Sequence, residues 1–256
     1  MTGVTRLHDV VHVVCGRYPT IRRFSATTYQ RLRDFNNSDV CFFGDVSDIV
    51  ACERTSQLYV ADCRGPLIWQ ASANGTDLTP SLPPAPCRFR PWTLSLKGNR
   101  LLVTSARQLL QYDANGRCEF LGRVPLPDYV DARHAVESPT GTFVVSHHNT
   151  QLKHRHPGQV SEVNADGQVL HQFSGSLGSS FPHIAVDSRG NIFVADSDNG
   201  RVLLLDAQLA LRRVIINAYQ LNDKKPQRLC YTKRSGQLLV GLDFYGHVAV
   251  FDVLYR

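Results

Sequence analysis

The chain has 256 residues, 43% of them hydrophobic and 20% charged, enough to bury the core of one all-β domain, and it contains no low-complexity tract. Its net charge of +6 admits an acidic partner or a nucleic acid but requires neither. No apolar run reaches the ~18–20 residues that span a bilayer, and the N-terminus lacks the basic-then-apolar pattern of a secretion signal.

Six related units follow one another, at approximately residues 4–37, 46–82, 90–126, 131–175, 181–217 and 225–256. In chain order, the second strand of each unit carries an anchor valine: Val13, Val60, Val103, Val144, Val194 and Val240. Dense β-branched residues suit strands that pack against neighbouring sheets. First strands precede them at 47–52, 91–96, 133–138, 182–187 and 227–231, and that of the first unit is expected within Val4 to Val10. Turns such as Lys97-Gly98-Asn99, Pro139-Thr140-Gly141, Ser188-Arg189-Gly190 and Arg234-Ser235-Gly236 separate first from second strands. A second turn joins third to fourth strands at Ala73-Asn74-Gly75, Ala114-Asn115-Gly116 and Ala165-Asp166-Gly167, where Asn-Gly and Asp-Gly are strong hairpin signals. Four short strands recurring every ~40–50 residues predict a six-bladed β-propeller of antiparallel four-stranded blades. The sixth unit shows three strands, so either residues 1–4 close the last blade or it ends on an open edge.

The seven cysteines, Cys15, Cys41, Cys52, Cys63, Cys87, Cys118 and Cys230, are odd in number and include no Cys-x-x-Cys pair. They read as reduced thiols of a cytoplasmic protein and argue against a paired-cysteine zinc site.

The fifth unit matches a known repeat in detail through Pro182, Ile184, Ala185, Val186, Asp187, Gly190, Asn191, Ile192, Val194, Ala195, Asp196, Asn199, Arg201 and Val202. It resembles the NHL repeat, in detail over residues 181–217 and in apolar rhythm over nearly the whole chain. The resemblance implies a single NHL-like propeller over residues 1–256, of the kind that ends tripartite-motif proteins. Ubiquitin-ligase activity does not carry over, since no zinc-ligand pattern or heptads precede the repeats. Some relatives bind RNA, others bind proteins, and more distant six-bladed propellers are metal-dependent lyases or lactonases.

One residue per blade is expected at the mouth of the central channel: Asp48, Trp92, His134, His183 and Arg228, with the first blade unassigned. Together with Arg17, Arg90, Lys153 and Lys224, these are the candidate ligand-binding residues on the inlet face, where the chain enters each first strand. Arginines and aromatics there suit a protein segment or peptide, and also single-stranded RNA. The expected role is therefore non-catalytic recognition or scaffolding, with no catalytic residue, cofactor, nucleotide or membrane assigned. The alternative is a metal-dependent lyase or hydrolase at the channel mouth, with His134, His147 and His183 as candidate ligands. Against it, no carboxylate is clearly placed as their partner, and Lys153-His154-Arg155-His156 adds positive charge. Asp196, Asn199 and Arg201 are expected to serve the fold by capping turns.

Overall fold

A computed structural model describes residues 2–15, 18–35, 46–63, 67–73, 79–81, 90–115, 119–151, 157–242 and 247–253. Blade one is β1 (Thr2–Leu7), β2 (Val10–Cys15) and β3 (Tyr18–Ser25). Blade two is β4 (Val46–Cys52), β5 (Gln57–Asp62), β6 (Leu67–Ser72) and β7 (Thr79–Ser81). Blade three is β8 (Thr93–Lys97), β9 (Arg100–Ser105), β10 (Gln108–Asp113) and β11 (Glu119–Pro125). Blade four is β12 (Val130–Glu137), β13 (Phe143–Asn149), β14 (Gln159–Val163) and β15 (Val169–Ser174). Blade five is β16 (His183–Val186), β17 (Ile192–Asp196), β18 (Arg201–Leu205) and β19 (Leu211–Ile216). Blade six is β20 (Pro226–Thr232), β21 (Gln237–Leu242) and β22 (His247–Asp252). Each sheet is antiparallel and keeps its strands in chain order. The fold is an all-β six-bladed propeller, and no helix among the described residues is long and apolar enough to cross a membrane.

The apolar side chains pack between blades, where each sheet meets the next. Leu7, Val14, Ile49 and Val60 fill the seam between blades one and two. Tyr59, Ile68, Leu94 and Val103 fill the next. The closing seam between blades six and one is thinner, with Val4, Val11, Val13, Ala26 and Leu239 as its buried residues.

Blade one departs from expectation in register. Its inner strand is β1, earlier than Val4 to Val10, and the chain turns at His8 with a positive φ of 53°. Thr5 is buried in this strand, and its hydroxyl accepts the Ala51 N–H at 3.1 Å. Residues 2–7 therefore pair within blade one and not with blade six. Among the described residues, β22 is the outer edge of a three-stranded last blade.

The polar letters of the blade-five phrase hold its turns. Asp187 accepts the N–H groups of Arg189 and Asn191 and the Asn191 side-chain amide, at 2.7–2.9 Å. Asp196, fully buried, accepts from Asn199 at 3.0 Å and from the Arg201 guanidinium at 2.8 Å.

Candidate metal centre in the propeller channel

Strand pairing fixes the innermost ring of side chains. The anchor valines Val13, Val60, Val103, Val145, Val194 and Val240 lie opposite Val4, Ile49, Leu94, Ala135, Ile184 and Leu229. Blade four thus uses Val145, one residue past the expected Val144; the continuous apolar run Phe143-Val144-Val145 hides the alternation that marks a face. One residue earlier on each first strand stands the channel ring: Gly3, Asp48, Thr93, His134, His183 and Arg228. Thr93 replaces the expected Trp92, whose ring instead lies 5.3 Å from the Arg133 guanidinium. The misalignment has a cause. Blades two, four and six carry a bulge just before the ring residue, at Ser47, Arg133 and Gln227, while blades three and five begin their strands at it. A bulge adds one residue and re-aims the next side chain.

The ring residues fasten blades together. Asp48 Oδ2 accepts the Leu94 N–H at 2.9 Å, His134 Nδ1 accepts the Ile184 N–H at 3.4 Å, and His183 Nδ1 accepts the Leu229 N–H at 3.3 Å. In each case the donor lies one residue past the ring position of the next blade. Arg228 instead reaches across blade one, donating to Ser47 O at 3.1 Å and facing Asp48 Oδ1 at 3.4 Å. Gly3 leaves room for this, since a Cβ there would lie 2.6 Å from Val14 Cγ2 and 3.1 Å from Asp48 Oδ1.

The long side chains converge. His134 and His183 stack with ring centroids 3.5 Å apart, and His183 Nε2 lies 3.7 Å from Asp48 Oδ2. One donor atom each from Asp48, His134 and His183 falls within 4.8 Å of the others, and all three residues are buried. Metal–ligand bonds of about 2.0–2.2 Å place tetrahedral ligand atoms about 3.4 Å apart, so closure by roughly an ångström would suit a divalent cation. Burial, then the neighbouring His183, holds His134 well below the usual histidine value. Burial and the Arg228 charge do the same to His183. Both imidazoles are therefore neutral at physiological pH, the form that ligates metals.

Below the ring, a cavity of about 280 Å³ runs toward the hairpin face, where the turns between first and second strands lie. Two residues beyond each ring position, Thr5, Val50, Ser95, Val136, Ala185 and Cys230 form its mostly apolar waist. Burial pushes the Cys230 thiol up to about 11, so it offers no thiolate at neutral pH. The mouth carries Lys97, Glu137 and Asp187 and reaches the exposed Pro139, Ser188 and Lys233.

The sequence candidates therefore divide. Asp48, His134, His183 and Arg228 meet in one cluster. His147 lies apart, bonded through Nε2 to Ser161 Oγ at 2.8 Å, with burial lowering its pKa to about 4. Asp48 takes the place that His147 was expected to fill. Arg90 is exposed ahead of β8, and Lys224 Nζ lies 3.1 Å from His247 Nδ1. Arg17 and Lys153, with the rest of the Lys153-His154-Arg155-His156 run, fall outside the described residues.

These positions overturn the expectation of non-catalytic recognition on a basic inlet face. The residues meant to greet a partner there are 1–6% exposed at Asp48, His134, His183 and Arg228. Arg228 is engaged with backbone carbonyls and Asp48, which leaves it unable to reach an RNA phosphate or a peptide. What they form is a buried Asp/His/His group positioned to coordinate a metal.

A six-bladed propeller is thus the class that fold and channel define. No family profile matches the chain. No curated protein sequence matches it either. Solved structures do: Kuenenia stuttgartiensis hydrazine synthase, with a TM-score of 0.68 at 13% identity over 98% of this chain and 83% of that one. Streptogramin B lyase is similar at TM-score 0.64 and 8% identity, over 100% of this chain and 83% of that one. The Cps50 (Swd1) β-propeller domain of Myceliophteria thermophila follows at 0.60 and 11%, over 98% and 83%. At these identities the likeness is one of fold.

Proposed function

We propose that the chain is a metal-dependent hydrolase or lyase whose centre is Asp48, His134 and His183 at the head of the channel. The observation that carries this is the convergence of a carboxylate and two neutral imidazoles, from three different blades, above a cavity that reaches solvent. Asp48, His134 and His183 would hold a zinc or related divalent ion through two imidazoles and a carboxylate, a donor set suited to such ions. A cation held there supplies Lewis acidity and lowers the pKa of a bound water. Arg228 holds Asp48 in place. Its charge opposes the cation, and Asp48 offsets part of that repulsion. The structural neighbours do not choose among chemistries: one is a lyase, one a synthase and one a propeller domain. We also read blade five as an NHL-type repeat, supported by its match over residues 181–217.

Metal loading has a signature in the backbone. Both rings accept an N–H at Nδ1, so each neutral ring carries its proton on Nε2. Were a cation held through Nε2, each ring proton would sit on Nδ1 facing the Ile184 or Leu229 N–H, and His134 would also give up its Nε2 bond to the Leu94 carbonyl at 3.2 Å, at about 1–3 kcal/mol for each buried donor left unpaired. Chelator-treated protein titrated with Zn²⁺ is expected to take up one ion per chain, with amide shifts at Ile184 and Leu229. His183→Ala should lose both the uptake and the zinc-dependent hydrolysis of p-nitrophenyl acetate. Wild-type protein that stays metal-free at micromolar zinc would show the cluster to be a polar seam between blades, and the enzyme reading would fall.

A further inference from the structure

The channel combines a buried head of Asp48, His134, His183 and Arg228, a mostly apolar waist and an exposed lysine at its mouth, and this combination points to one class of substrate. At the head the Asp48 and Arg228 charges offset each other, and a divalent ion held by Asp48, His134 and His183 would leave that end positive. At the mouth, Glu137 is paired by Lys97 at 3.2 Å and by Arg100 at 3.1 Å. Asp187 accepts three hydrogen bonds from neutral groups of its own turn and keeps its charge, so Lys97, Arg100 and Lys233 exceed Glu137 and Asp187 by one positive charge. Lys233 lines the same cavity, is exposed, and has no ion-pair partner among the described residues. A positive field within low-dielectric walls concentrates anions.

Length adds a second constraint. Lys233 lies five residues beyond Arg228, a strand rise of ~16 Å, and its four-carbon stem lets the ammonium reach back over part of that distance. Between the two ends stand Val50, Val136 and Ala185.

We propose that the channel takes an elongated carboxylate through its hairpin-face mouth, with the reacting group at the Asp48–His134–His183 head, an apolar chain in the waist, and the carboxylate anchored by Lys233. This rests on the metal-centre reading for the chemistry but not for the anchor. Lys233 is a specificity-determining residue, and the cavity's lining runs from the ring residues to the hairpin face.

Monomethyl suberate, an ester at one end and a carboxylate at the other, is the probe, with dimethyl suberate as its neutral counterpart. Calorimetric titration of zinc-loaded and metal-free protein should show the monoester bound three- to fivefold more tightly than the diester, with a larger gap at low salt. Lys233→Gln should erase that preference, Lys233→Arg should keep it, and monomethyl succinate, too short to span the waist, should be insensitive to both. Ser95→Phe, checked by melting, should block both suberates. Equal affinity for monoester and diester in wild-type protein, or a preference that survives Lys233→Gln, overturns the anchor even if zinc binds. A Lys233-dependent preference in protein that refuses zinc keeps the anchor and sinks the metal centre instead.

Discussion

The two ends of the channel are built from the same inner strands, yet they obey different electrostatics. At the head, Asp48, His134, His183 and Arg228 are nearly dry, and each is tied to backbone groups of another blade. At the mouth, Lys97 and Arg100, with side chains 38% and 44% exposed, pair at comparable distances with Glu137, whose side chain is 9% exposed, so the cations stand in reach of water. Similar ion pairs therefore carry different weight. Burial shifts the head histidines and makes every missing partner costly, whereas solvent screens the mouth.

Acid should break the head first and gives the largest expected effect. His134 and His183 stay neutral in the fold well below pH 6.5, and His147, buried in blade four, does so to about 4. The unfolded chain takes up these protons below its value of about 6.5 and the folded chain does not, so the unfolded state binds more protons. Stability is then complete above pH 6.5 and falls by about 1.4 kcal/mol per pH unit per histidine as pH drops toward the folded values. Denaturant unfolding at pH 7, 6 and 5 should show a steepening loss. A flat profile across that range would mean the head histidines are wetter than described.

Asp48→Ala should follow, at about 3–5 kcal/mol, because it strands the Arg228 guanidinium in a dry site and removes the acceptor of the Leu94 N–H. Thermal melting reads the loss directly, and Asp48→Ala combined with Arg228→Met should recover part of it. If the single change costs no more than a surface substitution, the contrast between the two ends disappears.

Lys97→Met at the mouth should cost less than about 1 kcal/mol, since Arg100 continues to pair with Glu137 and the site is solvated. A loss as large as that of Asp48→Ala would show that the mouth is as dry as the head.

Much of the architecture was legible before any coordinates. The alternation around Val60, Val103, Val194 and Val240, with hairpin turns at regular spacing, specifies antiparallel blades because strand period and turn chemistry are local properties. Four of the six ring residues, Asp48, His134, His183 and Arg228, were found by the same alignment. It failed at Trp92 and Val144, where a missing bulge or an unbroken apolar run removed the local mark of register. The bulges at Ser47, Arg133 and Gln227 have no strong sequence signature: Pro226 precedes the bulge of blade six much as Pro91 precedes the unbulged strand of blade three.

What the chain order alone could not decide was which end of the channel matters and who shares it. Asp48, His134 and His183 are separated by 86 and 49 positions in the chain, and only closure of the ring brings them within 4.8 Å of one another. Charge counting along the sequence placed Arg228 on a solvated basic face, because residue type reports charge but not burial. The tertiary structure turned that arginine inward over the space Gly3 leaves, paired it with Asp48, and left the cavity open on the hairpin side. Local sequence determined the strands and turns. Desolvation and long-range convergence, which depend on how six blades pack, decided the site.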